Sequence, residues 1–315
     1  MDFLQAVFVT PFASIADNPE FLLEVIIGGL LTGVMYSLVA LGFVLIYKAS
    51  GVFNFAQGSL VFFAALTFVG LTEHGLSFGV ALVVTLAVMV VAGLLIERLV
   101  LRPLVNQPQI SLFMATIGLS FFIEGLAQLL WGANVRGLDL GIQDEPIAWI
   151  SDRSGINISK FDLMAALIAA VLVTALGLFF SRTRIGRALR AVADDHQAAL
   201  AVGIPLQQIW GIVWAVAGFV ALVAGLLWGA RNGVQFALTF VALKALPVLI
   251  LGGFESIPGA IVGGLIVGST EKLAEVYLGP YVGGGIEGWF PYVLALAFLL
   301  VRPEGLFGEK IIRRI

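Results

Sequence analysis

Apolar runs of about 20 residues recur along the chain, separated by short stretches where polar residues, glycine and proline gather. They fall at 24–47, 52–71, 76–97, 110–131, 161–181, 206–230, 235–251, 257–277 and 286–302. A helix rises about 1.5 Å per residue, so each run matches or approaches a hydrocarbon core of about 30 Å. Backbone N–H and C=O groups find no water there, so the runs must pair internally as helices. A membrane β-barrel would alternate polar and apolar positions, and these runs do not alternate. The pattern predicts one all-α integral membrane domain over 1–315. It is a polytopic bundle of eight or nine transmembrane helices with an expected two-half pseudo-symmetry.

Two runs are interrupted. The 52–71 run opens on Asn54, Gln57 and Ser59, with Gly58 among them. The 235–251 run is short, contains Lys244 and Pro247, and ends on Gly252-Gly253. Both predict broken or re-entrant helices.

Composition strengthens this picture. Hydrophobic residues make up 60% and charged residues 12%, against about a quarter charged in soluble domains. Lipid, which binds the whole apolar surface, is therefore the main solvent. There is no cysteine, which excludes disulfides and thiolate metal sites. His74 and His196 lack ligand-like neighbours at helical spacing, so no metal site is expected. Both are read as solvent-facing. A net charge of −3 carries no nucleic-acid signal. The segment Met1 to Glu20 has no Lys or Arg, so it lacks the basic start of a secretory signal.

Lys and Arg placement sets orientation through the positive-inside bias. With nine spans and the N-terminus outside, eleven cations face the cytoplasm: Lys48, Arg98, Arg102, Arg182, Arg184, Arg187, Arg190, Arg302, Lys310, Arg313 and Arg314. Four face outward: Arg136, Arg153, Lys160 and Arg231. Lys244 and Lys272 fall inside spans. The C-terminus is then cytoplasmic. A polar outer loop occupies 132–160 and a basic cytoplasmic loop 182–205.

Charges within spans are costly and face cavities or partners. Lys244 either snorkels or meets a carbonyl freed by Pro247, or it lines a translocation path and draws in a carboxylate. Glu124 and Gln128 share one helix face, for interhelical hydrogen bonding or for the same path. Asn54, Gln57 and Ser59 either cap a helix or offer a broken end to a solute. Glu271, Lys272 and Glu275 read as a solvated rim. Gly29-x3-Gly33 and Gly259-x3-Gly263 are faces for close helix packing.

No catalytic constellation is present. Glu97-Arg98 reads as an interfacial helix end. No Ser–His or paired-Asp arrangement lies within a span. No Gly-x4-Gly-Lys-Ser/Thr loop holds phosphate, so any ATP must bind elsewhere.

The 182–205 loop has a helical pattern. Asp194 or Asp195 can cap a second short helix, and Gly203 before Pro205 is a stop. It reads as a solvated basic connection or as a docking element, with Ala198, Ala199 and Gly203 small enough for close approach. The run Arg184-x-x-Arg187-Ala188-x-Arg190-Ala191, with Asp194-Asp195, Ala199 and Gly203-Ile204 after it, resembles the ATPase-coupling loop of LivH-type permeases. These belong to ABC importers of branched-chain and related amino acids. Four further segments agree in order: Gly29 to Gly42, Asn54 to Gly58, Leu251 to Gly264, and Arg302 to Gly308. The chain departs from many members at Gln57-Gly58-Ser59, where they carry His-Gly-Glu, and at Glu255, where they carry a small residue. The resemblance implies a non-enzymatic transport subunit of the bacterial inner membrane, with no cofactor of its own. Its implied partners are a second, LivM-like permease, two LivG/LivF-like cytoplasmic ATPases holding ATP and Mg, and an external solute-binding protein. A self-sufficient secondary transporter or channel, using Lys244 and Glu124, is the competing reading.

Overall fold

Helix ends fall where the backbone can leave the helix without stranding polar groups. The computed structural model describes residues 18–104 and 107–308. Helix α1 (Pro19–Ser50) opens with proline at its first position and closes on Gly51 at φ 68°. Then come α2 (Gln57–Glu73) and α3 (Phe78–Ile96), the latter prolonged by a π turn over Glu97–Leu101 and a 3-10 turn over Arg102–Leu104. Next are α4 (Gln109–Trp131), the short α5 (Ala148–Ser154) and α6 (Lys160–Arg182). The loop helices α7 (Arg184–Asp194) and α8 (His196–Ala201) lead into α9 (Leu206–Asn232). After a 3-10 turn come α10 (Val241–Gly252), α11 (Ile257–Tyr277), α12 (Gly279–Val282) and α13 (Phe290–Val301).

Among the described residues, α1, extended α3, α4, α6 and α9 are each long and apolar enough to cross a membrane. The 236–252 segment and α11 meet at a bend of 114°, a broken span or a re-entrant loop, giving up to six spans if the pair counts as one. The 235–251 run, expected to be broken or re-entrant, stays helical through Pro247, and the break follows Gly252, at residues 253–256. The expected eight or nine spans are not reached by length. The 52–71 and 286–302 runs begin in irregular or 3-10 backbone, leaving α2 with 17 residues and α13 with 12.

Burial separates the inner helices from the lipid-facing ones. The apolar windows of α1 and α9 are 78% and 72% buried, against 28% for α3, α4 and α6. Helix α2 is buried from Gln57 through Gly70. The outer helices turn Val83, Val91, Phe121, Phe122 and Val171 outward, which suits hydrocarbon.

Glycine sets how closely the inner helices approach. A Cβ on Gly33 would overlap the Gly264 carbonyl, and one on Gly268 would overlap that of Gly29. Helices α1 and α11 therefore touch backbone to backbone. Likewise Gly218 of α9 faces the Met89 carbonyl of α3, and Gly225 faces that of Val61 on α2. Small residues permit this dispersion-rich contact, which replaces a hydrophobic drive absent in lipid. The Arg302 to Gly308 segment closes on the helix bend: Leu306 N–H donates to Leu251 O at 2.7 Å and Phe307 N–H to Gly252 O at 3.1 Å.

The bundle has two polar ends. One carries Lys48, Ser181, Arg190 and Glu255 around a cleft of about 500 Å³. The other carries the 132–160 segment, held by paired backbone bonds between Arg136 and Val234 and by an Arg136–Glu73 ion pair.

Candidate functional site

The sequence-predicted polar residues fall into separate places. At the start of α2, Asn54 Oδ1 accepts the Ala56 N–H at 3.1 Å, and Asn54 Nδ2 donates to Gln57 Oε1 at 3.4 Å. Both residues are fully buried. Gln57 Nε2 lies against Gly42 with no hydrogen-bond partner among the described residues. Ser59 Oγ donates to Glu124 Oε1 at 2.7 Å and lies 2.7 Å from Ser120 Oγ, tying α2 to α4. The expected interhelical role is met by Glu124. Gln128 makes no side-chain hydrogen bond among the described residues.

Lys244 stands apart from that cluster and neither snorkels nor meets a freed carbonyl. Its Nζ pairs with Glu271 Oε1 at 3.0 Å. Glu271 is not part of a solvated rim: it is 4% exposed and also accepts from the Tyr36 hydroxyl at 3.1 Å. The reason is geometric. The bend returns α11 alongside α10, so the rim position expected for residue 271 lies inside the bundle. Glu275 is turned instead to the 283–287 turn, accepting the N–H groups of Gly285 and Glu287 at 3.0 Å each.

Around this pair lies a polar cavity of about 170 Å³, lined by Tyr36, Trp228, Arg231, Lys244, Glu271 and Glu287 among others. Tyr36 and Trp228 stack at 5.1 Å and 19°. Arg231 is fixed by Asp162 at 3.1 Å and Thr32 at 3.3 Å. Sequence reasoning missed this cavity because its members come from α1, α9, α10, α11 and the turn before α13. The available signal was the lone cation Lys244 in one span and the carboxylates Glu271 and Glu275 in the next.

The 182–205 segment forms two capped helices. Thr183 Oγ1 accepts the Gly186 N–H at 3.2 Å. Of the two aspartates, Asp195 is the cap, accepting from Gln197 and Ala198 at 2.8 and 3.0 Å. Asp194 is exposed. Gly203 ends α8 at φ +83°, a left-handed conformation that suits glycine. Arg184 and Arg187 are exposed, while Arg190 folds back to donate to Phe180 O at 2.9 Å. Ala199, expected on a docking surface, is instead buried, because Ile204 N–H returns to its carbonyl at 2.9 Å and closes the turn over it. Leu200 and Val202 take the exposed positions, at 54% and 75%. His74 is exposed as expected; the His196 side chain and Lys310, Arg313 and Arg314 lie outside the described residues.

Among the described residues no group of His, Asp and Glu could hold a metal. A lipid-facing helical bundle with a bent helix pair, a buried ion pair beside a polar cavity and an exposed helical loop at the opposite end is the architecture of a membrane permease. The chain belongs to the family of branched-chain amino acid transport system permease components, whose pattern matches residues 25–301. It is 28% identical over 306 residues to the high-affinity branched-chain amino acid transport system permease protein LivH of Salmonella typhimurium, covering 94% of this chain and 98% of that one. It is 29% identical over 305 residues to BraD, of the same description, from Pseudomonas aeruginosa, covering 93% and 98%. The fructose import permease protein FruF of Bifidobacterium longum is 27% identical over 251 residues, covering 75% and 66%. Among solved structures, PsaBC from Streptococcus pneumoniae in complex with Fab aligns over 92% of this chain and 94% of that one, with 17% identity and a TM-score of 0.46.

Proposed function

We propose that this chain is the membrane subunit of an ATP-driven importer of branched-chain or related small amino acids. It sits in the bacterial inner membrane with the N-terminus outside and the C-terminus in the cytoplasm. A second, LivM-like permease completes the pathway. Two LivG/LivF-like ATPases bind ATP and Mg on the cytoplasmic side, and an external solute-binding protein docks on the 132–160 segment.

The observation that carries this reading is the 182–205 loop. Its two helices are capped by their own side chains, and it lifts Leu200, Val202, Arg184 and Arg187 into solvent. Exposed apolar residues and exposed cations on one loop suit a groove on a soluble partner. Helix α7 also borders the cleft that includes Ile257 and Pro258 at the start of α11. A push on α7 is thus passed toward the bent helix pair and the Lys244–Glu271 cavity. The mechanism is alternating access: ATP closes the ATPase pair, the loop moves, and the inner helices re-pack around the path. Asn54, Gln57, Ser59, Glu124, Gln128 and Lys244 are the path residues in this reading.

The competing self-sufficient carrier needs an uncommitted ion site built from Lys244 and Glu124. Those two side chains are engaged with Glu271 and Ser59 respectively. The test is reconstitution of this chain with its ATPases, partner permease and binding protein. Leucine-stimulated ATP hydrolysis and ATP-dependent leucine accumulation in proteoliposomes are expected. Leucine uptake by the lone chain under a proton or sodium gradient, with no response to ATP in the full assembly, would overturn the assignment.

A further inference from the structure

The cavity at Lys244 and Glu271 has a feature that the ion pair alone does not use. Glu271 Oε1 takes both the Lys244 ammonium and the Tyr36 hydroxyl. Its second oxygen, Oε2, is buried without any hydrogen-bond partner among the described residues. A carboxylate oxygen shut from water without a donor is costly. Glu271 lines the cavity, so this atom calls for an N–H or O–H from whatever enters.

The rest of the lining says what kind of donor. The cavity is bordered by three cations, Arg231, Lys244 and Lys272, and by two anions, Glu271 and Glu287. Asp162, paired with Arg231, brings the anions to three as well. A balanced wall does not favour a solute of net charge. Lys272 and Glu287 make no ion pair among the described residues, so donors and acceptors both stay available. The stacked Tyr36 and Trp228 rings add an apolar face to the lining. A solute with an ammonium, a carboxylate and an apolar body meets all of these surfaces together.

We infer that this cavity is a solute-binding station for a zwitterionic primary amine, with Glu271 Oε2 accepting from the ammonium and Lys272 and Arg231 facing the carboxylate. The inference deepens the transport reading and rests on it for the sense of passage. It differs from that reading in placing selectivity here and not at the Asn54–Glu124 cluster.

Binding is read on the purified full-length chain in lipid nanodiscs, through the fluorescence of Trp228. The signal is isolated by difference against Trp228→Phe and titrated with leucine and with glycine betaine, whose nitrogen has no N–H. Leucine is expected to give a saturable change and betaine none. Glu271→Gln is expected to weaken leucine binding about tenfold or more, the factor of a charge-assisted hydrogen bond. A Lys244→Met/Glu271→Gln double variant removes the stranded cation and keeps the chain folded by its melting profile. It should still bind leucine weakly, which separates lost recognition from lost structure. Equal responses to leucine and betaine, or unchanged leucine affinity in both variants, overturn the station. Selective binding together with failed ATP-dependent uptake would leave the station standing and sink the importer assignment. ATP-driven uptake with no Trp228 response would do the reverse.

Discussion

Lys244 Nζ lies 3.0 Å from Glu271 Oε1, so the 114° bend after α10 brings together two charges 27 positions apart. The carboxylate is nearly sealed, with 6% of its side chain exposed, while the lysine keeps 29%. Removing one partner leaves a charge with little access to water, whereas removing both leaves none. Lys244→Met should therefore destabilise the chain by about 2–3 kcal/mol, somewhat below the cost of breaking a fully buried pair. Lys244→Met/Glu271→Met should recover most of that loss. Unfolding followed by tryptophan fluorescence in detergent measures both. A double variant as unstable as the single one would mean that the pair is not what holds the bend.

The glycine seam between α1 and α11 gives a second contrast. Gly33 has no room for a Cβ because the Gly264 carbonyl occupies that space. Gly33→Val should force the helices apart, costing at least the 1–3 kcal/mol typical of overpacking. Gly118, inside α4, has nothing within 4 Å of its Cβ position. Gly118→Ala should be neutral or stabilising by up to about 1 kcal/mol, since alanine is the better helix former. Melting temperatures of the two variants, measured in the same detergent, should move in opposite directions or differ clearly in size.

That seam also explains which parts of the molecule were legible in advance. Hydrophobic run length located the helices, and Gly252-Gly253 with Pro247 located the bend, because lipid leaves the backbone few alternatives. The recurring Gly29 to Gly42, Leu251 to Gly264 and Arg302 to Gly308 segments turn out to be mutual packing surfaces, joined at Gly33–Gly264 and at Leu251–Leu306. Pairings across the bundle were not legible. Nothing local distinguishes Glu271, which is buried, from Glu275, which reaches the 285–287 backbone. The distinction arises from the angle at which α11 returns. Ala199 was misplaced for a similar reason: its burial depends on the Gly203 turn folding back over it.

At the end of α3, local order misleads in the same way. Glu97 is buried, and its partner is Arg102 at 2.8 Å rather than the adjacent, exposed Arg98. The π turn over Glu97–Leu101 widens the helix by one residue per turn and brings position 102 over position 97. Arg102→Met should cost about 2 kcal/mol or more by stranding the Glu97 carboxylate, a figure reduced because Arg102 is 37% exposed. Arg98→Met should stay within about 0.5 kcal/mol, as surface changes do. Chemical denaturation of the detergent-solubilised chain tests the pair; equal losses would remove Arg102 as the specific counterion.

The loop beyond residue 181 carries the last prediction. Leu200 and Val202 are exposed apolar residues held by a turn whose pivot, Gly203, sits at φ +83° with open space around its Cβ position. Substituting these two residues changes the surface and leaves the turn intact. Substituting the pivot strains the turn and leaves the surface chemistry intact. Leu200→Asp/Val202→Asp should therefore fold and melt like the parent chain, yet lose co-purification with the ATPase subunits. Gly203→Ala should cost about 1–2 kcal/mol of local backbone strain, shift Val202 away from its position, and lower leucine-stimulated ATP hydrolysis while leaving some ATPase bound. Gly203→Asn, which tolerates the left-handed region better, should fall between the two chains in hydrolysis rate. Affinity capture on a tag carried by this chain, followed by ATPase assay of the eluate, reads all three. Full ATPase recovery with the aspartate pair in place would move the docking surface to the exposed arginines Arg184 and Arg187 on α7, where charge reversal would be the next discriminating change.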